Sequence, residues 1–181
     1  MTDPAVGPFL FDTSAEYWLE RSTDPDIGRW VDSYARYHSK QVSAITVMER
    51  MRGYAMSIQR DPPDRRALLA LKRQEYLDSL GEVRPVDAPV ALQAAELAAM
   101  LPQPPTPPKR AHRFLESRQD RLFRWRCDIL IAATALVAGM PLVHHNPRDF
   151  ETIRTAIETS PERFPTLGPL NLLSVVRLTG A

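Results

Sequence analysis

The sequence predicts an α/β fold, a central and mostly parallel sheet with helices on both faces, and three observations carry that expectation. Short apolar runs alternate with amphipathic stretches along the chain, the pattern of repeated strand–helix units. Asp128-Ile-Leu-Ile-Ala-Ala-Thr-Ala-Leu136, running on to Gly139, reads as a helix with almost no polar residue beyond its first turn. Such a helix is buried on most sides, and its alanines let a sheet approach closely. Finally, isolated acidic or amide residues stand at the joins between elements, in the crevice outside strand carboxyl ends where open α/β sheets bind ligands.

Size and composition agree. A chain of 181 residues, 44% hydrophobic and 25% charged, fits one domain over residues 1–181 with an elaborated insertion at about 102–126. No apolar run approaches the roughly 20 residues of a membrane span. The start, Met-Thr-Asp-Pro-Ala, has neither the basic nor the apolar region of a secretory signal. Cys127 is the single cysteine, which excludes an internal disulfide and fits a reducing cytoplasm.

Taken in order, Pro8–Phe11 is a short apolar strand that stops at Asp12-Thr13-Ser14, and a helix follows to Arg21. Thr13 and Glu16 have the spacing of a capping box, as do Thr46 and Glu49 further on. A second helix is expected over Ile27–His38, with Trp30, Val31, Tyr34 and Tyr37 on related faces, then an extended piece at Gln41–Ile45 and a helix opening at Thr46. Asp61-Pro-Pro-Asp64 breaks the chain. Arg65–Leu80 resumes as a helix with Leu69, Tyr76, Leu77 and Leu80 inward. Val83–Val86 reads as an edge strand because of its internal proline, and a helix from Asp87 to about Leu101 follows. Pro102–Pro108 suits an extended surface spacer. Lys109–Arg126 carries seven cations against Glu116 and Asp120, a net +5 in a chain whose formal net charge is +1. Phe114, Leu115, Leu122, Phe123 and Trp125 interleave with them, so part of this segment packs, and a basic rim beside carboxylates suits a polyanion. Trp18 and Trp30 are assigned to the core, while Trp125 is open between core and base stacking. After Pro141–His145, Asn146-Pro-Arg-Asp149 opens a helix with an N-cap, a proline at its first position and an acid at its third. Leu170–Leu178 is the last expected strand.

Asp12 and Asn146 thus follow strands, and Glu49 and Asp128 fall in what read as first helical turns. Each has two readings, a cap or turn residue and a ligand. Converged carboxylates repel one another and persist only if protonated, paired or bridged by a metal. An all-oxygen donor set favours Mg²⁺ or Mn²⁺, and no Cys/His spacing suits zinc. His144 and His145 are assigned structural duties, one satisfying a local hydrogen bond and the other facing solvent.

Phe11-Asp12-Thr13-Ser14, Ser43-Ala-Ile-Thr-Val-Met-Glu49 with Gly53, the Asp128 block and Leu142-Val-His-His-Asn146-Pro-Arg-Asp149-Phe150 resemble, in order, the PIN-domain ribonucleases, and within them the VapC-type toxins of toxin–antitoxin pairs. The resemblance implies a PIN fold and an endoribonuclease dependent on Mg²⁺ or Mn²⁺, with a homodimer neutralised by a cognate antitoxin. It assigns Asp12, Glu49 and Asp128 to the family's acidic metal positions and Asn146 to its fourth catalytic position. Under it, an ion on Asp12 and Asp128 activates water and Glu49 orients or deprotonates it, with RNA contacts from Thr13, Arg124 and Arg126. Two departures stand out. His144 occupies a place the family commonly fills with Thr or Ser, and the chain exceeds a compact VapC in the Gln59–Leu80 region and the Pro102–Arg126 insertion. The alternatives are a catalytically silent PIN-like module that binds RNA or protein, and an α/β phosphatase, which expects an Asp where Ser14 stands.

Overall fold

Five short strands form one sheet in the computed structural model, which describes residues 2–105, 117–163 and 168–178. They are β1 (Leu10–Phe11), β2 (Gln41–Ser43), β3 (Glu82–Arg84), β4 (Leu142–His144) and β5 (Leu172–Ser174), in the order β3-β2-β1-β4-β5. Every pairing is parallel. β3 lies at the edge, as its neighbouring proline predicts. The helices are α1 (Thr13–Arg21), α2 (Pro25–Ala35), α3 (Ala44–Arg60), α4 (Pro63–Asp78), α5 (Ala88–Met100), α6 (Arg118–Ala138) and α7 (Pro147–Thr159).

Side-chain alternation along the strands sorts the core into two layers. Leu10 and Leu142 face one way, into a cluster with Val90 and Leu97 of α5, Ile129, Ile131, Ala132 and Leu136 of α6, and Phe150 and Ile153 of α7. Phe9, Phe11, Val42 and Val143 face the other, against Ala15 of α1 and Trp30 and Tyr34 of α2. The expected sheet with helices on both faces is therefore observed, and all of its described strand pairs are parallel.

α6 differs from expectation at its start. The helix begins ten residues before Asp128, with Ser117 as N-cap accepting the Asp120 N–H at 3.0 Å. The charged stretch 118–126 is its first half, because Leu122, Trp125, Ile129 and Leu136 keep a helical repeat through the change in polarity. The drop in charge at Cys127 marks entry into the core. The helix ends where predicted, at Gly139, whose φ of 63° is left-handed and suits a residue without Cβ. Trp125 is buried and its indole N–H donates to Leu101 O at 2.8 Å, so it is a core residue that ties α6 to the end of α5.

Other boundaries shift too. α2 starts at Pro25 behind the Asp24 cap, leaving Val31 and Tyr37 exposed while Trp30 and Tyr34 are buried. α3 is capped by Ser43, so Thr46 is a buried interior residue and no capping box forms there. Asp12 itself caps α1, displacing Thr13 from that role. α4 buries only Tyr76 and leaves Leu77 exposed, so its inward face is narrower than the repeat suggests. The last strand is cut short at Ser174 by a 3₁₀ turn, Val175–Arg177. Residues 106–116, which include most of the proline-rich stretch beyond Pro105 and the cations Lys109, Arg110 and Arg113, lie outside the described residues. Among the described residues no helix is long and apolar enough to cross a membrane.

Ile131 is 1% exposed and lies at the centre of the α5–α6–α7 layer. Ile131→Ala is expected to lower unfolding free energy by about 2–5 kcal/mol, measured by urea denaturation with an unchanged m-value.

Candidate active site

The end of β1 delivers Asp12 to the centre of the sheet's carboxyl edge. Its backbone N–H donates to Val143 O at 3.0 Å, continuing the ladder to β4. Its carboxylate accepts the Ala15 N–H at 2.6 Å and the Ser14 hydroxyl at 2.7 Å. Ser14 in turn accepts the His145 N–H at 3.0 Å, so one hydroxyl fastens the exit of β1 to the exit of β4.

Glu49 projects from the second turn of α3, and the Thr13 hydroxyl donates to it at 2.5 Å. Cys127 lies close enough to Glu49 for the two to shift one another's protonation. α3 is keyed to α6 by Ser43 and Thr134, both buried, whose hydroxyl oxygens lie 3.3 Å apart. Gly53 allows α3 to approach α1, since a Cβ there would meet the Tyr17 hydroxyl at 3.2 Å. Asp128 stands in the third turn of α6, not its first, so it caps nothing. Asn146 holds the N-cap place of α7 without a side-chain cap bond. Its amide instead donates to Asp149 at 2.8 Å and to Asp128 at 3.4 Å.

These acids act on one another. Burial pushes Asp12 up to about 7, with the Ser14 and Ala15 hydrogen bonds opposing and the Glu49 charge adding to the rise. Asp128 is raised well above the carboxylate range, first by burial, then by the charges of Asp149, Asp12 and Glu49. Glu49 is raised by burial against the pull of Thr13, Cys127, Arg124 and Arg52. The thiol of Cys127 is pushed up to about 12 by burial and by Glu49 and Asp128, which makes it inert as a nucleophile.

Asp12, Glu49 and Asp128, with Asn146 alongside, are therefore brought within one another's field at one end of the sheet. Among the described residues no three His, Cys, Asp or Glu groups stand close enough to hold an ion as they lie. Local donors explain this. Ser14 and Ala15 hold Asp12, Thr13 holds Glu49, and Asn146 and Asp149 engage Asp128. An all-oxygen group whose ionised forms are disfavoured by burial and mutual repulsion suits a hard divalent cation.

The PIN domain family model matches residues 9–155, a span that contains all four positions. The chain belongs to the PIN domain family. Solved structures share the fold: FitAcB from Neisseria gonorrhoeae (19% identity, TM-score 0.59, covering 94% of this chain and 99% of that one) and VapBC2 from Rickettsia felis bound to a DNA fragment from their promoter (15%, 0.56, 92% and 97%). A third is DNA-bound VapBC from Salmonella typhimurium (18%, 0.53, 92% and 97%). At such identities the likeness concerns the fold. Comparison with curated proteins finds no match. PIN domains are generally nucleases that depend on a divalent metal.

Within the PIN fold the remaining expectations divide. Thr13 spends its hydroxyl on Glu49. Arg124 is exposed one turn before Asp128, and its charge reaches Glu49. Arg126 is exposed two residues before Asp128, about 200° around the helix, so it faces away from the acids. His145 is exposed, as expected, with its ring 5.9 Å from that of Trp18. His144 is buried against Phe150, its Nδ1 has no hydrogen-bond partner among the described residues, and burial pulls it down to about 4, so the ring is neutral. Three participants escaped the sequence reading. Ser14 reads as a turn residue in the sequence, and Asp149 as the acid at the third position of its helix. Arg52 shares a face with Glu49, three residues on, a spacing that alone would have flagged it.

The sign of the pH dependence follows. Acids raised in the fold hold protons that the unfolded chain has lost, so their contribution to stability is complete below about pH 4 and disappears as pH rises through about 7. His144 acts oppositely between about 4 and 6.5, one group against three. Metal-free protein is expected to lose thermal stability from pH 4 to 7, and Asp12→Asn to flatten that slope in calorimetry. Ser14→Ala, which removes a donor to the Asp12 carboxylate, is expected to move the Asp12 titration upward in carboxyl-carbon NMR.

Proposed function

We propose that this chain is an endoribonuclease dependent on Mg²⁺ or Mn²⁺ and the toxin of a toxin–antitoxin pair. The supporting observation is that Asp12, buried, and Glu49 and Asp128, half-buried, act on one another's charge at the carboxyl end of a parallel sheet in a PIN domain. Those three would hold the ion, with Asn146 and Asp149 orienting Asp128. When bound, the ion supplies charge stabilisation at a phosphodiester and an activated water. Glu49, raised by burial and steered by Thr13, takes up the proton on that side. Asp12, fixed by Ser14 and Ala15, would be one of the residues that hold the ion. Arg124, Thr13 and Arg126 are the expected RNA contacts, Arg126 at the outer rim. Similarity to chains in FitAcB and VapBC structures supports a cognate antitoxin as partner, and the reading includes a homodimer working in the cytoplasm.

Two observations favour a catalytically silent PIN module instead: no three described acids stand at ligating separation, and His144 occupies a position the family commonly gives to a hydroxyl. A single experiment separates the two. Total RNA is incubated with wild type, Asp12→Asn and Asp128→Asn in Mg²⁺, Mn²⁺ and chelator. Wild type is expected to cut only with a divalent ion, and each variant to lose at least ~100-fold of that rate while keeping its circular dichroism spectrum. RNA binding without cutting by wild type, or undiminished cutting by both variants, would overturn the proposal.

A further inference from the structure

Arg52 lies one helical turn beyond Glu49 on α3 and reaches across to the first turns of α6. Its guanidinium sits over the Phe123 ring, 4.9 Å from the centroid, and its Nη2 donates to Asp120 Oδ1 at 3.3 Å. Its charge acts on both Glu49 and Cys127. Arg52 is therefore a half-exposed cation within reach of the acids' charge, as is Arg124.

We propose that Arg52 is a phosphate-binding residue on the RNA path, and that the Asp120 carboxylate occupies the phosphate's place until RNA arrives; this rests on the ribonuclease reading above. The Phe123 ring beneath the guanidinium supports it while leaving N–H groups for a planar or tetrahedral oxyanion. Asp120 satisfies one of them. The pair is about half exposed, 45% and 52%, and a single 3.3 Å contact in that setting is weak and screened by salt. A phosphodiester that also meets Arg124 displaces it without leaving a buried charge behind. Asp120 does not depend on the pair for its place, because the Ser117 hydroxyl donates to it at 2.7 Å. That hydrogen bond, followed by Arg52, holds its carboxyl below the usual range, so the competitor stays charged. Among the cations of the basic half of α6, Arg126 faces away, and the residue that completes the rim comes from a different helix.

The test uses the full chain and a fluorescein-labelled, mixed-sequence single-stranded RNA, with EDTA present to prevent cutting and salt as the titrated variable. Arg52→Gln is expected to weaken binding about 5–10-fold and to flatten the dependence of log affinity on log salt by about 0.7. Asp120→Asn keeps the Ser117 contact and is expected to tighten binding about 2–5-fold, a gain that vanishes when Arg52→Gln is added. Arg52→Lys restores the salt slope but only part of the affinity, since an ammonium lacks the planar fork of donors. Unchanged affinity and slope in Arg52→Gln, or an Asp120→Asn gain that survives it, overturns the inference. If wild type cuts RNA while Arg52→Gln binds like wild type, this inference falls and the nuclease reading stands. If wild type binds without cutting and Arg52→Gln binds more weakly, the reverse holds. Absence of RNA binding by wild type overturns both.

Discussion

The parallel pairing of β1 with β4 at the middle of the sheet is the constraint from which the site follows. Leu10 and Phe11 sit opposite Leu142 and Val143, and both strands leave the sheet at the same level. Two side chains 134 residues apart in the chain, Asp12 and Asn146, are thereby set on the same edge, and the Ser14 hydroxyl bridges the two exits. The strands are only two and three residues long, so the ladder alone is slight. Burial on both faces holds them: Leu10 and Leu142 against α6 and α7, Phe11 and Val143 against α1 and α2. A central strand in a parallel sheet has no solvent face, which is why these runs are uniformly apolar.

Glu49 and Asp128 reach the same edge by another route, from within helices. α3 is held on its far side by Arg50, the residue next to Glu49. Arg50 is 1% exposed, donates to both Glu20 oxygens at 2.7 and 2.6 Å, and lies over the rings of Tyr17 and Tyr76 at 4.1 and 4.6 Å. Nearby, buried Glu16 pairs with Lys40 at 2.7 Å and accepts from the Tyr76 hydroxyl at 3.1 Å. Charge-assisted contacts inside a packed interface fix helix rotation more tightly than apolar contacts do, because a small turn leaves a charge without a partner. Rotation of α3 is what decides whether Glu49 meets Thr13. The acidic group is thus assembled by two kinds of force: β-ladder and hydrophobic packing for Asp12 and Asn146, and helix keying through Arg50 and the Ser43–Thr134 contact for Glu49 and Asp128.

The residues that gather at the site also show how one side chain serves structure and chemistry together. Asp12 caps α1 and is raised by burial; the first property fixes the second, because the cap bonds hold the carboxylate in place while they partly offset its desolvation. Thr13 likewise holds Glu49 and partly offsets its desolvation, while Asn146 donates to Asp128 at 3.4 Å. Capping and ion binding were posed as rival readings of Asp12 in the sequence. In the fold Asp12 does cap α1, and its carboxylate also feels the charge of Glu49.

The sequence by itself determined the alternation of elements, the burial of the Asp128–Gly139 segment and the glycine that ends it. Each is written in local spacing or in a motif, and local chemistry is what a single chain displays. The tertiary structure decided the rest. It extended α6 back to Arg118, because packing of Leu122 and Trp125 continues a helix whose exposed face is charged. It moved Glu49 and Asp128 from helix starts to helix interiors, since Ser43 and Ser117 are the caps. It joined Ser14 to His145, Arg52 to Asp120 and the charge of Asp149 to Asp128, all remote in sequence, and turned Arg126 away from the acids. Distances between side chains on different elements arise from how helices are rotated against a sheet, and no spacing within one segment encodes that rotation.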